Sequence, residues 1–288
     1  MSFLDVLFPV QCPGCGQWDV AVCDACLERL GPPLEISRFL PQLSQIGPDG
    51  DENPLFPVWT MSSYEDMGRI IQAWKNRPNS LLDRLLGNRI DDCATDMALR
   101  LPFGVEIDVV PAPSRPARYR SDTYIAGTIA DRIAGGIARG FAERLARAIE
   151  SSQEEQSSDY PNNSDLVCGT VNPGGAEASH RPGRLQSTLA PSVTVTSRTM
   201  FQPRQGRQRG RSRRERRGRE PVRLVGAEKP RTVLLVDDVA TTGSTLEACW
   251  QALHQGKHRI LGALCVAAVI PPGALSVHET LLGKRRVK

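Results

Sequence analysis

The chain has 288 residues, of which 40% are hydrophobic and 24% are charged, so it can build a globular core and is not a wholly disordered chain. Its formal net charge is +4, but residues 204–219 contain nine arginines and one glutamate, which leaves −4 for the rest. A protein that is basic throughout is therefore excluded. The longest strongly apolar run, residues 260–270, is shorter than the roughly 18 residues that a membrane-spanning helix needs.

The N-terminal residues do not have the features of a secretory signal peptide. Residues 1–10 contain no basic residue, include Asp5, and lead directly into cysteines. This pattern predicts a cytoplasmic protein with no membrane span. In a reducing compartment, clustered cysteines favour metal binding over disulfide formation.

Four of the eight cysteines lie close together near the N-terminus, and they form two Cys-x-x-Cys pairs: Cys12 with Cys15, and Cys23 with Cys26. Gly16, directly after the first pair, allows the left-handed turn of a zinc knuckle. Zn²⁺ prefers four such soft ligands in a tetrahedron, and a closed set of four thiolates indicates a structural ion. A redox-active dithiol and cysteines that are simply buried remain the alternatives.

The next elements are a connection and two helices. A short helix over 24–30 completes the cysteine module, and residues 31–57, with six prolines, predict an irregular connection. Apolar residues recur at helical spacing over 63–74 and again over 80–101, where Pro102 stops the pattern.

A strand and a long helix follow. Residues 105–110 predict a short strand that ends at the Pro-Ala-Pro sequence of 111–113. From 122 to 149 an apolar residue recurs every fourth position, which predicts a helix whose apolar face spirals. The Gly135–Gly136 pair is a candidate for a bend in this helix.

The last part of the chain changes character twice. Residues 151–203 are rich in Ser, Asn, Pro and Gly, a composition that predicts a disordered insertion. After the arginine-rich tract, an apolar strand over 231–236, a helix over 244–255 and an apolar strand over 260–270 predict a parallel crossover unit.

These elements predict an α/β chain with a small zinc-ribbon module in front of a parallel sheet. The predicted divisions are a zinc ribbon over 1–30, an irregular connection over 31–57, one sheet domain formed by 58–150 together with 204–288, and a disordered insertion over 151–203.

The most informative stretch joins the strand at 231–236 to the helix at 244–255. The strand delivers Asp237 and Asp238 at its carboxyl end, where ligands collect in open parallel sheets. Two carboxylates can accept hydrogen bonds from a ribose diol, and a hydroxyl-rich loop at a helix N-terminus can surround a phosphate. The predicted phosphate loop consists of Thr241, Thr242, Gly243, Ser244 and Thr245. The alternative is that the acids only end a strand and cap a helix.

Two motifs carry a resemblance to known families. Residues 233–246 resemble the PRPP-binding motif of type I phosphoribosyltransferases, and residues 12–26 resemble the N-terminal zinc ribbon of the ComF family. Residues 64–75 and 110–113 are similar, more weakly, to that family's helix before the sheet and to its Val-Pro-x-Pro strand end. The resemblance implies a sheet of the type I phosphoribosyltransferase kind and a cytoplasmic role in handling transforming DNA in competent bacteria.

The resemblance also implies roles for particular residues. Asp237 and Asp238 would hold the ribose hydroxyls of PRPP, the loop 241–245 would hold its 5-phosphate, and Mg²⁺ would bridge ribose and pyrophosphate if the chain is an active enzyme. The pyrophosphate would then face one or more basic residues of the loop after the Pro motif: Arg115, Arg118 and Arg120. The family's Phe-Asn-Gln after that motif is absent here, so whether the chain is an enzyme stays open.

Three functions are therefore carried forward. The first is a ComF-like competence protein that binds a ribose 5-phosphate or PRPP-type ligand and takes part in DNA uptake, with single-stranded DNA and the uptake machinery as partners. The second is an active PRPP-dependent glycosyltransferase of nucleotide metabolism, similar to an amidophosphoribosyltransferase. The third is a nonenzymatic DNA-binding adaptor that uses the zinc ribbon together with the arginine tract at 204–219. The alternatives for this tract are a solvated flank and a helix that faces pyrophosphate.

Overall fold

A computed structural model describes residues 10–76, 80–114, 125–158, 194–203, 221–226 and 229–271. Its strands are β1 (Leu34–Glu35), β2 (Ser44–Ile46), β3 (Glu52–Pro54), β4 (Val58–Thr60), β5 (Ile107–Pro111), β6 (Val195–Ser197), β7 (Thr232–Ala240) and β8 (Arg259–Ala268). Its α-helices are α1 (Asp24–Leu27), α2 (Tyr64–Asn76), α3 (Ser80–Ala94), α4 (Ile125–Ser158) and α5 (Ser244–Gln255), and 3-10 turns lie at Ser37–Phe39, Pro41–Leu43 and Thr95–Leu99.

Six strands form one sheet in the order β1-β4-β8-β7-β5-β6. Every neighbouring pair is parallel except the edge pair β1–β4. The central strands β7 and β8 are largely buried, as expected for parallel strands that are covered on both faces. The predicted α/β fold with a parallel sheet behind a cysteine module is therefore confirmed.

The two faces of the sheet bury separate apolar clusters. Leu234 and Val236 of β7 pack on the face that carries the cysteine module, α2, α3 and α4. Val233 and Leu235 pack on the opposite face, which carries α5 and the 3-10 turns of the connection. Alternate residues of β7 therefore face different layers, as the twofold repeat of a strand requires.

The long helix α4 runs continuously through the Gly135–Gly136 pair that the sequence marked as a bend. The glycines serve helix packing instead, because a Cβ at Gly136 would overlap the backbone carbonyl of Asp91 in α3. The apolar positions at four-residue spacing are buried from Ile125 to Phe141, after which the helix leaves the core. The spiral of the apolar face thus limits the length over which α4 touches the sheet layer.

Two predicted irregular segments contain regular structure. The connection 31–57 supplies β1 and the separate hairpin of β2 and β3, and the backbone N–H of Ile36 donates to the carbonyl of Val58 at 2.8 Å. These strands have only two or three residues, so their pairing partners stabilise them and local propensity does not.

The boundaries of the predicted insertion 151–203 also differ from those expected. Helix α4 continues to Ser158, and β6, with the sequence Val-Thr-Ser, pairs with β5. The middle of the insertion, residues 159–193, and the arginine tract at 204–219 lie outside the described residues.

Candidate functional site

The paired acids lie within a strand and not after it. Strand β7 continues through Asp237 and Asp238 to Ala240, because β8 offers pairing partners as far as Ala268. The carboxyl end of β5 lies beside them, with Pro111 opposite Val236. The two carboxyl groups lie close enough to interact with each other and with Lys75.

Asp238 points towards the layer that contains α2, where it forms an ion pair with the ammonium group of Lys75. The two side chains are only 15% and 18% exposed, so the pair is largely shielded from water. Lys75 is held in place because its neighbour Trp74 is buried and donates its indole N–H to Asp83. A buried ion pair of this kind gains more Coulomb energy than an exposed one, at a larger cost in desolvation.

Asp237 pairs with Cys265 of β8, and its carboxyl group lies within interaction range of Asp238 and Lys75. Its Oδ1 accepts a hydrogen bond of 2.9 Å from the backbone N–H of Asp238. Burial raises the pKa of Asp237 well above its usual range, and the charge of Asp238 raises it further, although the N–H bond and Lys75 oppose both effects. Asp237 therefore keeps its proton over a pH range in which an ordinary aspartate is ionised.

The predicted phosphate loop follows β7 and opens α5. Gly243 is the N-cap residue of α5, with φ 81° in the left-handed region that favours glycine, and no side chain caps the helix there. Thr241 and Thr242 are exposed, whereas Ser244 and Thr245 are half-buried. The first N–H groups of a helix carry a partial positive charge, so this turn combines hydroxyl donors with a site suited to an anion.

The loop is supported from behind by the connection that precedes β2. The backbone N–H of Gln42 donates to the carbonyl of Thr242 at 3.1 Å. Gly243 lies against Leu40 and Leu43, so a Cβ at this position would come within 3.0 Å of Leu43 Cγ. The turn is thereby fixed on one side, while its threonine side chains stay exposed.

Lys75 is not among the site residues that the sequence predicted. The signal that could have found it is the position of this lysine at the end of the amphipathic helix 64–75, next to a buried tryptophan. The arginines expected to face pyrophosphate, Arg115, Arg118 and Arg120, lie outside the described residues. The strand that leads to them, β5, ends beside Val236, where the backbone N–H of Ala112 donates to its carbonyl at 2.7 Å.

The four N-terminal cysteines form a second candidate site. The sulfur atoms of Cys12, Cys15, Cys23 and Cys26 all lie within 4.8 Å of one another. The Cys15 and Cys23 sulfurs are 3.5 Å apart, close to the roughly 3.8 Å edge that follows from zinc–sulfur bonds in a tetrahedron. Gly16 adopts φ 83° and its N–H donates to the Cys12 carbonyl at 2.8 Å, which closes the predicted knuckle turn. The cluster fits a structural metal such as zinc.

The electrostatics of the cysteine cluster favour a cation. Burial alone would raise the pKa of Cys12, but backbone hydrogen bonds from Cys23, Cys15 and Gly14 lower it to about 6. Burial and the neighbouring thiols raise the pKa of Cys26. A divalent ion would offset the repulsion that opposes full ionisation of the four thiols, and its binding would release protons.

Within the described ranges, no helix combines the length and apolar character needed to cross a lipid bilayer. Comparison of the chain with known protein families finds no matching family, and comparison with curated proteins finds no matching protein. The function must therefore be argued from the residues and their arrangement.

Proposed function

We propose that the carboxyl end of β7 binds a ribose 5-phosphate group, such as that of PRPP, and that the protein takes part in DNA uptake as a ComF-like competence protein. One observation carries the ligand assignment. Two acids, two exposed threonines and a left-handed glycine at an uncapped helix N-terminus follow one another at the same edge of the sheet.

The phosphate half of this proposal rests on the turn at 241–245. An anion at the N-terminus of α5 would accept hydrogen bonds from backbone N–H groups and from the hydroxyls of Thr241 and Thr242. Because Gln42, Leu40 and Leu43 fix the turn from behind, the donors need little reorganisation on binding.

The proposed contacts with the ribose are made by Asp237 and Asp238. Asp238 is an anionic acceptor, and a protonated Asp237 can both donate and accept a hydrogen bond. A diol offers two O–H donors and two oxygen acceptors, so it matches this mixed pair better than it would match two identical carboxylates. Should Mg²⁺ accompany a diphosphate ligand, the carboxylates are the hard oxygen ligands that it prefers, and it would offset the diphosphate charge.

The role in DNA uptake is supported by the resemblance and not by the site. The cysteine cluster, the helix 64–75 and the strand end at 110–113 are the parts that resemble the ComF family. Disruption of the gene in a competent host should lower transformation frequency, and filter binding at low salt should retain DNA. Normal transformation without the protein would exclude this role and leave the ligand assignment standing.

Calorimetry of the full chain with ribose 5-phosphate tests the ligand assignment. Binding should weaken about tenfold to a hundredfold in Asp238→Asn, because a hydrogen bond to a charged group contributes roughly 1.5–3 kcal/mol. Replacement of both Thr241 and Thr242 by Val should weaken binding of ribose 5-phosphate more than that of methyl ribofuranoside, which has no phosphate.

Asp96→Asn is a matched control, because Asp96 is an exposed acid in the turn after α3. Equal affinity in the wild type and all of these variants would contradict the assignment. Release of pyrophosphate from PRPP with a panel of bases and amines would separate an active transferase from a protein that only binds the ligand.

A further inference from the structure

Lys75 couples a helix of one layer to the acid pair at the sheet edge. Among the described residues, its ion-pair partner is Asp238, and its charge also acts on Asp237. The core fixes the helix backbone that carries Lys75, because Ile70, Ile71 and Trp74 are buried, and the Lys75 side chain itself is only 18% exposed in its ion pair. Lys75 is therefore a fixed charge and not a freely rotating surface lysine.

The charge at this sheet edge depends on Lys75. Among the described residues, the titratable groups that meet here are Asp237 and Asp238 of β7, Lys75 of α2 and Cys265 of β8. Asp238 and Lys75 form a direct ion pair, so the charge of this carboxylate is compensated at the sheet edge.

A carboxylate that binds a sugar diol would repel a phosphate group nearby. The ion pair between Lys75 and Asp238 removes this repulsion. The phosphate loop begins three residues after Asp238, so an uncompensated carboxylate would repel the same anion that the loop is arranged to attract. At a partly shielded site, such repulsion acts with a low effective dielectric constant and is strong. A cation beside Asp238 lets one carboxylate accept a sugar hydroxyl without expelling the phosphate.

We propose that Lys75 determines the specificity of this site for anionic sugars: by neutralising Asp238 it allows a ribose phosphate to bind, whereas the acid pair alone would favour uncharged or cationic sugars. This inference rests on the proposed ribose-phosphate function. Lys75 acts through Asp238 and need not touch the ligand.

A different result is expected if the ion pair between Lys75 and Asp238 is purely structural. If Lys75 only held α2 against the sheet, its loss would weaken ribose 5-phosphate and methyl ribofuranoside alike, by disturbing the acids. If it acts through charge, its loss weakens the phosphate-bearing ligand selectively. The ratio of the two affinities therefore separates the two roles.

The experiment is calorimetry of the full chain with ribose 5-phosphate and with methyl ribofuranoside at low salt. Lys75→Met should lower the affinity for ribose 5-phosphate on the order of tenfold or more, as expected for one uncompensated charge near a phosphate. Its affinity for methyl ribofuranoside should change much less. Lys75→Arg should keep the wild-type ratio, and so should Lys229→Met, which removes an exposed lysine near the opposite end of β7.

A double variant tests the mechanism directly. Adding Asp238→Asn to Lys75→Met removes the uncompensated charge, so the double variant should recover the wild-type ratio of affinities for ribose 5-phosphate and methyl ribofuranoside, although it binds both more weakly than the wild type. Thermal unfolding of each variant checks that it is folded, and Lys75→Arg provides the comparison if Lys75→Met is unstable.

The possible outcomes are distinct. Failure of the wild type to bind ribose 5-phosphate would overturn the proposed function and this inference with it. Binding by the wild type with an unchanged affinity ratio in Lys75→Met, or with no recovery in the double variant, would overturn the inference alone. Selective loss with recovery would establish it.

Discussion

Asp237 carries a buried carboxyl group whose ionisation opposes folding. Its carboxyl group lies beside Asp238 and Cys265 at the end of a buried strand, and burial raises its pKa. A carboxyl group with a raised pKa in the folded state stabilises the fold below its unfolded pKa of about 4, and this stabilisation is lost as the pH rises through the folded value. The ionised form of Asp237 therefore destabilises the protein.

Asp237→Asn should for this reason make the fold more stable at pH 8 and have a smaller effect at pH 5. Thermal unfolding at the two pH values measures the difference, with Asp96→Asn as the exposed control. The same variant should bind ribose 5-phosphate more weakly. A variant that is less stable than the wild type at pH 8 would contradict the expected effect of burial.

Two features of the structure require glycine at position 243: the backbone conformation and the close contact with Leu43. Its φ of 81° disfavours other residues, and an added Cβ would press on Leu43. Gly226 has a similar φ of 86° with nothing within 4 Å of an added Cβ. Comparing substitutions at Gly243 and Gly226 therefore separates the cost of backbone strain from the cost of the contact with Leu43.

Gly243→Ala should cost about 1–2 kcal/mol through backbone strain and more through the contact with Leu43, and it should weaken phosphate binding. Gly226→Ala should show only the strain. Chemical denaturation of both variants measures the free energies of unfolding. Equal losses at the two glycines would mean that the contact with Leu43 contributes nothing.

At the scale of elements, glycines set the distance between α3 and α4. Gly136 and Gly140 face backbone carbonyls of Asp91 and Thr95, so the two helices approach almost to backbone contact. Gly135, the next residue along the helix, would place its Cβ 3.2 Å from the carboxylate Oδ1 of Asp91, which is a side-chain atom and can move. A methyl group added at Gly136 would thus meet backbone atoms, whereas one added at Gly135 would meet a side chain that can move.

Gly136→Ala should destabilise the protein by roughly 2–4 kcal/mol, because the added methyl group would force α3 and α4 apart. Gly135→Ala should be close to neutral, because better helix propensity, worth about 1 kcal/mol, offsets a small side-chain shift. Urea unfolding of the two variants gives the comparison. Similar effects of the two substitutions would refute the close packing at Gly136.

At the scale of the whole molecule, the cysteine module belongs to the main core. Cys12 and Cys26 are buried in the same apolar cluster as Ile70 and Trp74 of α2, and Gly14 lies against Ile70. Metal removal should therefore affect α2 as well as the module itself.

A chelator should make residues 10–30 more sensitive to protease, raise hydrogen exchange in α2 and lower the unfolding temperature. Cys15→Ser should imitate the chelator, whereas Cys93→Ala should retain the metal, because Cys93 is a buried cysteine outside the cluster. One zinc ion per chain is the expected content. Unchanged proteolysis after chelation would exclude a structural metal.

Elements with strong local patterns could be predicted from the sequence. The helix predicted over 244–255 has the same bounds as α5, and the apolar run predicted over 260–270 overlaps β8, since periodicity and continuous apolar character are properties of neighbouring residues. The strands β1, β2, β3, β4 and β6 were missed because each has two or three residues and is stabilised by its partner strand.

The amino-acid sequence alone determined the cysteine quartet, the acid pair and the glycine turn, because the spacing of near neighbours along the chain sets what each of them can bind. Only the tertiary structure decided that Lys75 pairs with Asp238 and that Leu43 lies against Gly243 in the turn after β7. These contacts join residues far apart in the chain, and they exist because the packing of α2 and of the connection onto the two faces of the sheet brings both to the carboxyl end of β7.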